Sequence, residues 1–261
     1  MSAAINPKGV RKPSTTSNPI TWTQTYLGST VGQKILVALT GAGLVGFVLF
    51  HMIGNLKMFS GRDGINAYAS FLKYDLGALI WIARGGLLAI FVLHILLAIR
   101  LKLKSVGARP IGYANQRTAQ ASLASRTMIY TGIVVGLFTL FHLAHFTFAW
   151  VHEADLGNGQ HVNYMELTDE KGRHDVYSMV VAGFRTPWIS VLYLLAQLML
   201  FVHLSHGIAS VLQTLGLVGK RFSPVAKLLA LSVSGVIFVG NTAIVLAIWT
   251  GKIAPVFATV K

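Results

Sequence analysis

Apolar residues in this chain come in five long runs separated by polar stretches. The runs cover residues 35–56, 76–99, 127–150, 186–217 and 228–251. Each meets the length of about 20 apolar residues that a helix needs to cross a bilayer core about 30 Å thick. The pattern predicts an all-α integral membrane protein with five transmembrane helices. Residues 1–32 then form a polar N-terminal tail, 33–251 the membrane domain and 252–261 a short C-terminal tail. No cleavable signal is expected, because the first run starts near Ile35 and is too long for one.

A second pattern lies inside the first and third runs. Thr40–His51 reads TGAGLVGFVLFH, and Thr131–His142 reads TGIVVGLFTLFH. Both open on Thr-Gly and place Phe four, Leu two and Phe one residue before a histidine: Phe47, Leu49, Phe50 and His51; Phe138, Leu140, Phe141 and His142. The second and fourth runs hold His94, and His203 with His206, and the third also carries His145. The fifth has none. A histidine among lipid tails is costly, so it usually faces the bundle interior and has a partner there. One such residue is most simply a hydrogen bond between helices. One or two on each of four helices point to ligation.

Composition agrees with a membrane chain. It is 54% hydrophobic and 11% charged, with a mean hydropathy of +0.62. Cysteine is absent, which excludes disulfides, thiolate-bound metal and iron–sulfur ligation in this chain. The net charge of +14 reads as flanking charge beside the membrane rather than a nucleic-acid surface. Of the 22 Lys and Arg, 13 lie on one side: Lys8, Arg11, Lys12 and Lys34; Arg100, Lys102, Lys104, Arg109, Arg117 and Arg126; Lys220, Arg221 and Lys227. All eight acids lie on the other side, Asp63 and Asp75 in the first connection and the rest in the connection 151–185. The positive-inside rule therefore puts the N-terminus in the cytoplasm and the C-terminus outside. The 151–185 connection is long enough to predict an ordered cap over the outer face. Its histidines, His152, His161 and His174, read as solvated loop residues.

Depth sorts the membrane histidines. His51 is six residues from Lys57 and His142 eight from Trp150, which places them roughly 9 and 12 Å below the outer interface. His94 is thirteen residues from Trp81 and His203 fifteen from Trp188, so they lie roughly 20 and 22 Å down. An outer pair and an inner pair result. Two imidazoles on facing helices are the axial set of a six-coordinate b-type haem, and two layers predict two haems stacked across the membrane. His145 fits the outer depth as well, and the shared repeat selects His142. His206 would be roughly 27 Å deep, so His203 suits the inner layer better. The spare His145 and His206 have two open readings: a bond to a propionate or quinone, or one to a neighbouring helix. Arg84, the only formal charge within a run, is expected to face haem propionates; the alternative is that it snorkels outward past Trp81.

With these residues placed, the chain resembles the single-chain, five-helix dihaem cytochrome b anchors of succinate:menaquinone oxidoreductases and fumarate reductases. The resemblance runs from about Thr30 onward. It rests on VGQKILVALTG (31–41), FHMIGNLKMFSG (50–61), LHILLAIRLK (93–102), ARPIGY (108–113), SRTMIYTG (125–132), FHLAHF (141–146) and VHLSHGIASVLQTLG (202–216). It implies a distal haem held by His51 and His142 and a proximal haem held by His94 and His203. It implies a bacterial inner membrane location, with flavoprotein and iron–sulfur subunits docked on the basic cytoplasmic face. Electrons would pass from succinate through those subunits to the haems and menaquinone, or in reverse during fumarate reduction. Dicarboxylate chemistry would belong to the flavin subunit. Asn55, Tyr68 and Lys73 are quinone-site candidates at the outer ends of the first two helices. The chain departs from some members in having no acid within any run. Two other readings compete: a dihaem cytochrome b of a formate dehydrogenase or hydrogenase, and a histidine-lined metal or proton transporter. The absence of Asp and Glu from the runs disfavours the transporter.

Overall fold

Helix α1 (Pro19–Gly28) and helix α2 (Thr30–Asn55) are separated by Ser29. Its backbone is extended (φ −68°, ψ 159°), and its hydroxyl accepts from the N–H of Gly32 at 3.0 Å. This N-cap starts α2 five residues before the apolar run at Ile35, because a cap rather than hydropathy sets where helical backbone begins. The computed structural model describes residues 19–108, 123–155, 161–254 and 259–260. Lys8, Arg11, Lys12, Arg109, Arg117 and most of the ARPIGY stretch lie outside the described residues.

After α2 come a 3₁₀ turn (Leu56–Ser60), helix α3 (Gly61–Ser70) and a π turn (Phe71–Asp75). Helix α4 (Ala78–Gly107) runs beyond the apolar stretch that ended at residue 99, so Arg100, Lys102 and Lys104 stand on helix rather than in a loop. A helix exit needs no change of backbone, and long cationic side chains reach the interface from it. Helix α5 (Leu123–His142) continues into a π turn (Leu143–Thr147) and stops before Trp150, where Ala149 takes a positive φ of 53°.

The described part of the connection that follows is built into a structured cap. Strands β1 (Glu153–Asp155) and β2 (His161–Asn163) pair antiparallel, with Ala154 opposite Val162. Strand β3 (Leu167–Thr168) is followed by helices α6 (Val176–Arg185), α7 (Pro187–Thr214) and α8 (Ser223–Trp249). Strand β4 (Thr259–Val260) returns to pair with β3. The spans are thus helical as predicted, while the cap adds two small strand pairs to the all-α expectation. α2, α4, α5 with its π turn, α7 and α8 are each long and apolar enough to cross a membrane.

α2 packs against α4, α7 and α8, and α7 packs against α5 and α8. α4 and α5 have little contact, and α2 and α5 are not closely packed. The largest buried apolar cluster lies under the cap, where Met58, Ile65, Val181, Ile189, Tyr193 and Ile248 meet. Above it the chain ties α3 to the cap through buried polar groups. Asp175, fully buried, accepts from Arg62 at 2.9 and 2.6 Å, from Asn66 at 3.0 Å and from the Ser178 hydroxyl at 2.7 Å. Asn66 also accepts from the Tyr177 N–H at 3.0 Å. Burying a charge is costly unless it is paired and its remaining lone pairs are used, and this carboxylate meets both conditions. At the opposite end, Lys104 Nζ donates to the Gly28 carbonyl at 3.3 Å, joining the α1–α2 junction to α4.

Candidate functional site

The two repeats bring their histidines together. The rings of His51 on α2 and His142 on α5 meet edge to face, with centroids 5.8 Å apart and planes at 88°. Two imidazoles bound trans to one transition-metal ion, at about 2.0 Å per nitrogen, have centroids about 6 Å apart. The observed spacing fits that donor set. Because α2 and α5 do not pack closely, the rings span a gap between helices rather than a helix contact. The Phe of each repeat lies beside its own histidine one turn on: Phe47 stacks on His51 at 5.4 Å, and Phe138 lies 6.1 Å from His142.

The inner histidines are placed by the other end of each repeat. Thr40 Oγ1 lies 3.1 Å from His94 Nδ1, and Thr131 Oγ1 lies 3.2 Å from His203 Nδ1. A Cβ on Gly41 would stand 3.1 Å from His94 Cε1, and one on Gly132 would stand 3.3 Å from His203 Cε1. Thr and His in each repeat are eleven residues apart. That is close to three full turns, so both face the same way, about 16 Å apart along the axis.

The spare histidines separate. His145, in the π turn, has no exposed surface and is turned into the cap. Its Nδ1 lies 3.0 Å from the Tyr193 hydroxyl, which is also 3.2 Å from His142 Nδ1. A phenol has one proton, so Tyr193 donates to one imidazole and accepts from the other. His145 Nε2 is buried without a hydrogen-bond partner among the described residues. His206 is half-buried. Arg84 lies over the exposed ring of Trp81 at 4.9 Å.

Two of the three cap histidines, His152 and His174, are more enclosed than their reading as solvated loop residues. His161 is exposed. His152 is half-buried, with Nδ1 2.7 Å from the Tyr164 hydroxyl and Nε2 3.0 Å from Thr186 Oγ1. Burial lowers the His152 pKa, the charge of His161 adds to this and Glu153 opposes it. His174 Nδ1 lies 3.3 Å from the Leu167 carbonyl. Of the quinone candidates, Tyr68 packs on Gly54, Asn55 is half-buried and Lys73 lies over Tyr74 at the surface.

Tyr193, Thr40 and Thr131 are the site residues that spacing alone passes over. For the threonines the signal was present: Thr-Gly opens both repeats. For Tyr193, on a helix with no repeat, no signal pointed to it. Among the described residues no three His, Asp or Glu side chains gather as a metal site. Comparison of the chain with protein-family models, curated proteins and solved structures finds no match.

Proposed function

We propose that this chain is a membrane-anchoring dihaem cytochrome b of the succinate dehydrogenase and fumarate reductase type. The observation that carries the reading is the His51–His142 pair, two imidazoles facing each other at 5.8 Å from helices that do not otherwise pack closely. His51 and His142 would hold the outer haem, and His94 and His203 the inner one. Bound haem would supply reversible one-electron exchange at iron, and two neutral imidazoles on each iron would leave it no open coordination position.

The chain's own residues bind, bury and orient. Phe47 and Phe138 flank the outer imidazoles, Tyr193 bonds His142, and the cap built on α6 and the 151–185 connection covers the outer end. The basic residues at the inner end, Lys34, Arg100, Lys102 and Lys104 among them, suit docking of a flavoprotein and an iron–sulfur subunit in the cytoplasm of a bacterium. Menaquinone would exchange electrons near the outer pair.

Purification of the chain with its bound partners from bacterial membranes tests the reading. Two b haems per copy and succinate-driven reduction of a menaquinone analogue are expected. A colourless complex, or one haem per copy, overturns it.

A further inference from the structure

The Thr-Gly pair at the start of each repeat has a task of its own, on the dihaem reading above, which this inference presupposes. We propose that Thr40–Gly41 and Thr131–Gly132 are the seats of the inner histidine pair, positioning residues that hold His94 and His203 in one tautomer and one rotation. α2 and α5 would then each serve both layers, giving a histidine to the outer one and a seat to the inner one.

The hydrogen bonds determine the tautomer. Thr40 Oγ1 is 2.7 Å from the Leu36 carbonyl, and Thr131 Oγ1 is 3.0 Å from the Met128 carbonyl. A hydroxyl has one proton, and each threonine gives its own to a backbone oxygen within the same helix. The oxygen is left as an acceptor, so Nδ1 of His94 and of His203 is the donor. Nε2 on each ring therefore keeps its lone pair, the state an imidazole must have to bind iron.

The glycines set the rotation. With a side chain at either position, the new Cβ would press on the ring edge at 3.1 or 3.3 Å. Both threonines are buried, 7% and 6% exposed, and a backbone carbonyl already satisfies their proton. Valine would fill the same space. What valine lacks is the oxygen lone pair that meets Nδ1. The arrangement occurs twice, on helix pairs α2/α4 and α5/α7, from the same Thr-Gly dipeptide.

The test uses the intact complex carrying Thr40→Val, Thr131→Val and the corresponding Ser variants, with redox titration and electron paramagnetic resonance of the ferric haems. Removing an acceptor from Nδ1–H makes the imidazole a poorer donor to ferric iron. In each Val variant one of the two reduction steps is therefore expected to move to higher potential, with a matching change in one ferric signal. The other haem is expected to stay unmoved, and Ser is expected to restore both. Should a Val variant fail to load the inner haem, a Ser variant that loads it at the parent potential supports the seats, and a Ser variant that also fails overturns them. Val variants with both steps unmoved, or with the outer step moved instead, overturn the proposal. A parent complex without haem defeats the dihaem reading itself, before any threonine is changed.

Discussion

The Tyr193 hydroxyl lies 3.0 Å from His145 Nδ1, and the same oxygen reaches His142 Nδ1 at 3.2 Å. One phenol on α7 thus ties together two imidazoles on α5 and its π turn. If Nε2 of His142 binds iron, its Nδ1–H donates to Tyr193, and Tyr193 in turn donates to His145. Tyr193→Phe leaves both Nδ1 atoms without this partner. The substitution is expected to destabilise the protein by about 1–3 kcal/mol and to raise the potential of the outer haem alone, read by thermal unfolding and redox titration. An unchanged outer potential would remove Tyr193 from the ligand's surroundings.

His142 and His145 are one turn apart and both acceptable by depth, but the structure gives them different neighbours. His142 faces His51 across the interhelical gap, whereas His145 is enclosed by Phe146, Tyr193 and Gly183. His142→Ala is expected to lose one haem per copy, counted by pyridine haemochrome, and His145→Ala to keep both. The reverse result would exchange their roles.

The spans and their order were legible because crossing a bilayer demands long apolar runs, which hydropathy records directly. Helix ends were less so. Ser29 starts α2 and Ala149 follows the end of α5's π turn for local backbone reasons that an apolar window does not sense. The outer histidine pair was legible through the repeat, which marks two residues that must meet. The cap network was not: Arg62 and Asp175 are 113 residues apart, and neither belongs to a pattern. Arg84 lies over the ring of Trp81, a contact that the three-residue spacing on a helix makes available.

Gly183 on α6 is required by a close approach. A Cβ there would lie 3.0 Å from His145 Cε1 and 3.2 Å from both His145 Nε2 and Phe146 Cε1. These neighbours are buried or half-buried rings with little freedom to give way, so Gly183→Ala is expected to cost about 1–3 kcal/mol. Gly136→Ala, with nothing within 4 Å of its Cβ, is the control and is expected to leave stability nearly unchanged. Thermal unfolding in detergent distinguishes the two.

Asp175 is the junction of α3 with the cap. Its removal strands the Arg62 guanidinium, which is 13% exposed, without its principal counter-charge. A buried charge left in this way costs about 3–5 kcal/mol, so Asp175→Ala is expected to release the cap. Faster amide exchange across 167–178, with exchange in the centres of α7 and α8 unchanged, would show it. Uniform loss of protection throughout the chain would show instead that the cap and the bundle unfold together.

The same network sets a response to acid. Burial raises the Asp169 carboxyl, but hydrogen bonds from the Arg173 side chain and backbone N–H, from Asn66 and from the Lys171 N–H outweigh it and hold the group at about 2. Asp175 behaves alike: burial pushes it up, and Arg62, Asn66 and Ser178 bring it below its ordinary value. An unfolded aspartate titrates near 3.9. Both groups therefore stabilise the cap fully above about pH 4, and the contribution fades as pH falls through the folded values. For Asp169 the difference is worth about 2–3 kcal/mol. Amide exchange in 167–178, corrected for its intrinsic pH dependence, is expected to lose protection between about pH 4 and pH 2, and Asp169→Asn is expected to flatten that dependence. Protection that stays constant through this window, or that falls as pH is raised from 4 toward 6, would contradict the assignment of these carboxylates as the cap's ionic anchors.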